Sequence, residues 1–213
     1  MDGTRFRDRE EAGRELAARL GDLAARDDVV VLGLVRGGVP VAAPVAEALG
    51  APLDVFAVRK LGVPWQPELA FGAVASGGVR VLNREVVATL PLPRSVIEEI
   101  AEREAIALRE QESDLRGDRP PVDVEERVVV LVDDGIATGS SMRAAVEALR
   151  MRRPNAVVIA VPVAPRETCE ALSSDVEALL CAHTPEPFRA VGAWYEDFGQ
   201  TTDDEVRRLL GTI

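Results

Sequence analysis

What most restricts the fold of this chain is a set of five short, largely unbroken apolar runs: Val29 to Val35, Leu53 to Arg59, Arg127 to Val132, Ala156 to Val161 and Glu177 to Ala182. Continuous rather than alternating apolarity is what a strand covered on both faces requires. Between these runs lie segments with helical spacing. Asp8 to Arg26 carries Leu16, Leu20 and Leu23 on a charged background, and Pro93 to Arg116 carries Val96, Ile100 and Leu108. Val39 to Leu49, Ser141 to Arg152, Arg166 to Ser173 and Asp203 to Leu210 read as further helices. Strands alternating with helices imply right-handed crossovers, so the expected fold class is α/β, a mainly parallel twisted sheet flanked by helices.

Two stretches break the alternation. Lys60 to Gly78 is rich in Gly and Pro, which predicts a mobile loop in its first half. Phe71 to Ser76 and Val79 to Asn83, joined at Gly77-Gly78, predict a β-hairpin. Gly117 to Glu126 reads as a connector. In such sheets ligands sit beyond the carboxyl ends of the strands, so the loops after Val35, Arg59 and Val132 are expected to share one cleft.

At 213 residues the chain has room for one large core. The net charge of −11 argues against nucleic acid as a partner, since duplex binding needs a basic stripe. No apolar stretch is long enough to span a bilayer, and the charged N-terminus, Met1 to Glu10, does not resemble a secretory signal, so no membrane partner and a cytoplasmic location are expected. Cys169, Cys181 and His183 are too few and too poorly spaced for a zinc site or a disulfide framework, and read as packing or surface residues.

The most informative run is Val128 to Ser141. A buried strand delivers Asp133 and Asp134 to its end, and the turn Gly135-Ile136-Ala137-Thr138-Gly139-Ser140 leads into a helix starting near Ser141. Free amides of a first helical turn, with the Thr138, Ser140 and Ser141 hydroxyls, can surround a phosphate. Two carboxylates beside a phosphate would repel it. They make sense facing hydroxyl groups.

In this run the chain resembles the type I phosphoribosyltransferases, whose signature joins a hydrophobic strand, an acidic pair and a Thr-Gly turn. The resemblance implies that fold, with a single domain over 1–213: a core of about 27–62 and 93–184, and a small hood from 68–90 or 185–213. It also implies 5-phosphoribosyl 1-pyrophosphate as substrate, Asp133 and Asp134 on the ribose hydroxyls, and Ala137, Thr138, Gly139, Ser140 and Ser141 around the 5-phosphate. Leu34 to Pro40 is similar to the loop with which the family grips pyrophosphate, giving that role to Arg36, Gly37 and Gly38, although an Arg-Gly-Gly turn after a strand is otherwise only a turn.

Of the 25 basic residues only Lys60 is a lysine, leaving 25 − 1 = 24 arginines. It follows Arg59 at a strand end, where a flexible ammonium would reach a pyrophosphate, and Arg59 and Lys60 are both candidate pyrophosphate-binding residues. The plainer alternative is a surface remnant. Four of the eight aromatics, Phe188, Trp194, Tyr195 and Phe198, crowd the C-terminal stretch. Phe188, Trp194 and Tyr195 are candidates to stack on a base, or the cluster pins the last helix to the sheet.

The implied reaction displaces pyrophosphate from the ribose by a ring nitrogen of a base. Asp133, Asp134, Arg36 and Lys60 are the candidate catalytic residues, and Mg2+ comes with the substrate, with no protein ligand assigned. One departure stands out. Ala137 occupies the place where 6-oxopurine enzymes put an Asp, so the acceptor stays open, as does a homodimer. A non-catalytic regulatory protein binding the same sugar phosphate is the main alternative, and a response-regulator-like receiver the weakest.

Overall fold

The structure is a computed structural model and describes residues 5–212. The first half of the chain forms α1 (Arg9–Arg19), β1 (Val29–Leu34), α2 (Gly38–Leu49), β2 (Leu53–Phe56), β3 (Val58–Val63), β4 (Gln66–Ala75), β5 (Val79–Leu82) and α3 (Arg84–Thr89). The second half forms α4 (Arg94–Arg116), β6 (Val128–Val132), α5 (Ser140–Arg150), β7 (Ala156–Val163), α6 (Arg166–Ser173), β8 (Ala178–His183) and α7 (Asp203–Leu210). Five strands pair in parallel in the order β2-β1-β6-β7-β8, and β3-β4-β5 form a separate antiparallel sheet. The α/β fold class read from the sequence is the one observed.

Every residue of β1 and β6 is buried, as their unbroken apolarity demands. Their side chains alternate between two cores. Val29, Val31 and Val130 meet Leu16 of α1 and Val41, Val45 and Leu49 of α2. Val30, Leu32 and Leu131 meet Met142, Val146 and Leu149 of α5 on the opposite face. Helix α1 starts where the Asp8 carboxylate caps the Glu11 amide at 2.8 Å, and it is shorter than expected because the chain leaves it at Leu20 for a 3-10 turn at Gly21–Leu23.

The expected strand Leu53 to Arg59 is divided at Ala57. Its amide donates to Ser76 Oγ at 2.7 Å and its carbonyl accepts from the Ser76 amide at 2.9 Å, so the backbone leaves the parallel sheet there. A buried polar network holds the junction: Ser76 Oγ donates to Glu112, and Arg116 donates to both Glu112 and Asp54. Removing Arg116 would strand two buried carboxylates, a loss on the order of 3–5 kcal/mol.

The mobile loop expected in the first half of Lys60 to Gly78 is instead the β3–β4 hairpin, in which Lys60 pairs with Ala73. Leu61, Val63 and Phe71 are fully buried against Ile97, Ile100 and Leu108 of α4, and that burial outweighs the loop-like composition. The predicted hairpin over Gly77-Gly78 is β4–β5, and it packs on α5. The segment after β8 runs back to α1, and α7 then lays Val206 and Leu210 on Val39, Val55 and Leu115.

The two cysteines also differ from expectation. Cys169 of α6 and Cys181 of β8 are joined as a disulfide, because helix and strand of one crossover unit bring together thiols only 12 residues apart. Among the described residues no helix is long and apolar enough to cross a membrane.

Candidate functional site

The register of the sheet builds the site. Gly33 of β1 lies opposite Val132 of β6, so the residues that follow each strand leave the same edge side by side. Contact is close. A Cβ on Gly38 would stand 2.5 Å from the Val132 carbonyl oxygen, and one on Gly37 would stand 2.1 Å from Oδ2 of Asp134. The Arg36-Gly37-Gly38 turn and the acidic pair therefore share one site, and only glycine lets them approach this far.

The loop expected as the third wall does not join them. Arg59 Nε donates to Glu104 of α4 at 2.9 Å, and Lys60 stands exposed within β3. No hydrogen bond or ion pair among the described residues links either one to Asp133 or Asp134.

Beyond the acidic pair, Gly139 takes a left-handed backbone (φ 75) immediately before α5, and no side chain caps that helix. Its first amides are thus left open, where the helix dipole favours an anion. Ala137, Thr138, Ser140 and Ser141 are exposed around them, with Thr138 Oγ1 3.2 Å from Ser140 Oγ. Thr168 of α6 donates to the Ala137 carbonyl at 3.0 Å and pins the turn from behind.

The carboxylates are unlike one another. Burial pushes Asp133 well above the usual carboxylate range, and the neighbouring Asp134 charge pushes the same way, while its Oδ1 accepts the Asp134 amide at 2.9 Å. Burial also raises Asp134, but the Arg9 guanidinium opposes it. Arg9 Nε and Nη2 both stand 2.8 Å from Asp134 Oδ2, and Nη1 donates to the Gly199 carbonyl. On the other side of the site, Arg36 Nε donates to Oδ1 of Asp203, the first residue of α7, at 2.6 Å. The sequence gives neither Arg9 nor Asp203 a role in the site. Each sits in a charged helical stretch that looks like ordinary solvated surface.

The aromatic candidates separate. Tyr195 is 3% exposed, packs on Phe6 and Phe198, and donates its hydroxyl to the Asp134 carbonyl at 2.6 Å. Burial, reinforced by Asp134, keeps that phenol protonated. It is a support for the acidic pair and has no free face for a base, because a cluster of rings lowers its energy by packing on itself. Trp194 borders the same cluster, and Phe188 is half-buried.

A cavity of about 960 Å³ lies between α1, α2 and the chain around Gly199, lined among others by Arg14, Pro44, Glu47 and Leu209. It meets the site only at Arg9, so the open turn before α5, with its amides and hydroxyls, is the better anion receptor. Among the described residues no cluster of three or more His, Cys, Asp or Glu could hold a metal ion.

A parallel sheet that ends in an acidic pair, an uncapped helix start and an apposed Arg-Gly-Gly turn defines the phosphoribosyltransferase class of fold. The chain belongs to the phosphoribosyl transferase domain family, whose profile matches residues 4–189. Two Mycobacterium tuberculosis proteins, from strains CDC 1551 and H37Rv, carry a provisional phosphoribosyl transferase name and are each 47% identical over 205 residues. These matches cover 96% of this chain and 46% of each relative, so the chain spans about half their length. A crystal structure from Thermus thermophilus superposes with a TM-score of 0.85 at 45% identity and 97% coverage of both chains.

Proposed function

We propose that this chain is a phosphoribosyltransferase that binds 5-phosphoribosyl 1-pyrophosphate, with substrate-borne Mg2+, and transfers its phosphoribosyl group to a ring nitrogen of a base. The observation that carries this reading is the meeting, at one sheet edge, of an anion-ready helix start with two half-buried carboxylates. A phosphate alone would be repelled by the carboxylates, whereas a phosphorylated sugar satisfies both.

In this reading Ala137 to Ser141 hold the 5-phosphate through the open amides of α5, and Asp133 and Asp134 accept from the ribose hydroxyls. A base nitrogen bonds to the anomeric carbon as the bond to pyrophosphate oxygen breaks, and the electron pair leaves with pyrophosphate. Asp133 and Asp134 lie near the positive charge that develops on the sugar, while Arg36 and the Gly37 and Gly38 backbone receive the departing anion. Magnesium would arrive with the substrate and would supply positive charge to the departing pyrophosphate, with no protein ligand assigned to it. Arg36 must exchange Asp203 for pyrophosphate to play its part. The base site draws on Trp194, Phe188 or the β4–β5 hairpin.

Calorimetric titration with the magnesium complex of 5-phosphoribosyl 1-pyrophosphate, followed by pyrophosphate release across a panel of purines and pyrimidines, tests the reading. Saturable binding with release on at least one base is expected. Tight binding with no release on any base would make the chain a non-catalytic regulatory protein, a reading to which the internal partners of Asp134 and Arg36 lend weight. No binding at all would sink both.

A further inference from the structure

We propose that Arg9, in the first helix, is a positioning residue of the phosphoribosyl site: it grips Asp134 by one carboxylate oxygen and so fixes the other as an acceptor for a ribose hydroxyl. This rests on the function proposed above.

The grip is one-sided. Nε and Nη2 of Arg9 both stand 2.8 Å from Oδ2, whereas the strongest Arg–carboxylate pairs set two nitrogens on two oxygens. Oδ1 of Asp134 receives no hydrogen bond among the described residues. The Oδ2 side is walled off by Arg9 and by Gly37, whose Cβ would stand only 2.1 Å away. The same Gly37 position lies 3.3 Å from Oδ1, so Oδ1 is the less covered oxygen and the one left for a ligand. Asp133 is arranged in the complementary way, with Oδ1 taken by the Asp134 amide and Oδ2 receiving no hydrogen bond among the described residues. One free acceptor on each of two adjacent aspartates suits a vicinal diol.

Arg9 is itself held with unusual completeness. Nη1 donates to the Gly199 carbonyl at 2.8 Å, and the guanidinium carbon lies 4.1 Å from the Phe198 ring centre. Only 12% of the Arg9 side chain and 15% of Asp134 is exposed. A partly buried ion pair recovers little net stability after its desolvation cost, so orientation is the better account of such an arrangement. The charged and titratable groups facing Asp134 are Arg9 from α1, Asp133 from the same turn and Tyr195, whose hydroxyl bonds the Asp134 carbonyl.

The test compares ribose 5-phosphate, 2-deoxyribose 5-phosphate and inorganic phosphate on wild type, Arg9→Gln, Arg9→Lys and Phe198→Leu, with melting curves to follow folding. Arg9→Gln should weaken ribose 5-phosphate about tenfold, the size of one charge-assisted hydrogen bond, while inorganic phosphate shifts by less than about twofold. The deoxy sugar should lose less than the ribose. Without its cation Asp134 protonates more readily, so the pH below which ribose 5-phosphate binding fails should move upward. Arg9→Lys should restore part of the affinity and return that pH toward wild type. Phe198→Leu keeps the fork but removes the stack, and should cost about two- to threefold on the sugar alone. Equal weakening of all three ligands, or an unmoved pH profile in both Arg9 variants, overturns the proposal. If wild type binds ribose 5-phosphate and Arg9→Gln binds it equally well, this inference fails while the proposed function stands. If wild type binds inorganic phosphate but neither sugar, both fail.

Discussion

The two ends of the site are built in opposite ways. At the end proposed for the phosphate, Ala137 to Ser141 present amides and hydroxyls that no side chain caps. At the end proposed for the sugar and pyrophosphate, two of the charges already have a partner from a distant helix: Asp134 is held by Arg9 of α1, and Arg36 by Asp203 of α7. An anion at the first end displaces no ion pair. At the second it must be built around one pair and break the other, so the difference separates preorganised binding from binding that the rest of the chain adjusts.

The sharpest way to break this contrast is to spoil the open end. Gly139→Val forces a β-branched residue into a left-handed backbone, at a cost of roughly 1–2 kcal/mol, and sets its Cβ about 3.0 Å from Thr168. Ribose 5-phosphate affinity should fall about a hundredfold or more as the amides lose their alignment, a loss of about 2.7 kcal/mol by calorimetry. A variant that stays folded and binds normally would show that the turn is not the receptor.

Asp133→Asn probes the closed end next. Its carboxyl is raised in the folded state, so the fold takes up that proton more readily than the unfolded chain does, and wild-type stability grows as pH falls through the raised value. Removing the charge should raise Tm by about 2–4 °C above that pH, the effect of roughly 1 kcal/mol in a domain of this size, with the gain shrinking on acidification. Ribose 5-phosphate affinity should drop about tenfold at the same time, as expected for loss of a charge-assisted hydrogen bond. A stability gain that does not depend on pH would refute the assignment to the buried charge.

How much of this was legible beforehand follows from chain distance. The run from Val128 to Ser141 holds strand, acidic pair, turn and helix start in contiguous residues, so local pattern sufficed. Arg9 and Asp203 reach partners 125 and 167 residues away. Nothing local distinguishes them from the other charges on their helices. The β3–β4 hairpin was hidden for another reason: Gly62 sits at a register shift and Pro64 in the turn itself, and they outweighed the alternating Leu61 and Val63 beside them. Tyr195 was legible as part of an aromatic cluster but not as a prop for Asp134, because clustering alone does not say which ring is buried.

Asp203→Asn asks whether the second internal pair restrains the site. Arg36 and Asp203 are each roughly two-fifths exposed, so their pairing is worth at most about 1 kcal/mol. Freeing Arg36 should tighten inorganic pyrophosphate by about threefold at low salt, and the gain should fade as ionic strength rises. Weaker binding would mean that Asp203 holds Arg36 in place for the ligand and does not compete with it.

The smallest effect belongs to Lys60, and it decides how far the closed end extends. A lysine at the mouth of a mobile loop would follow a pyrophosphate wherever it sat. On β3, paired with Ala73 and beside Arg59 that is already bound to Glu104, its backbone is fixed and only the side chain can search. Lys60→Ala should therefore weaken inorganic pyrophosphate by no more than about two- to threefold, the scale of one screened surface charge, and leave ribose 5-phosphate unchanged. A tenfold loss specific to pyrophosphate would mean that the hairpin closes over the site when ligand binds, carrying Lys60 to the anion. Equal loss on both ligands would place its influence on the fold and take Lys60 out of the site altogether.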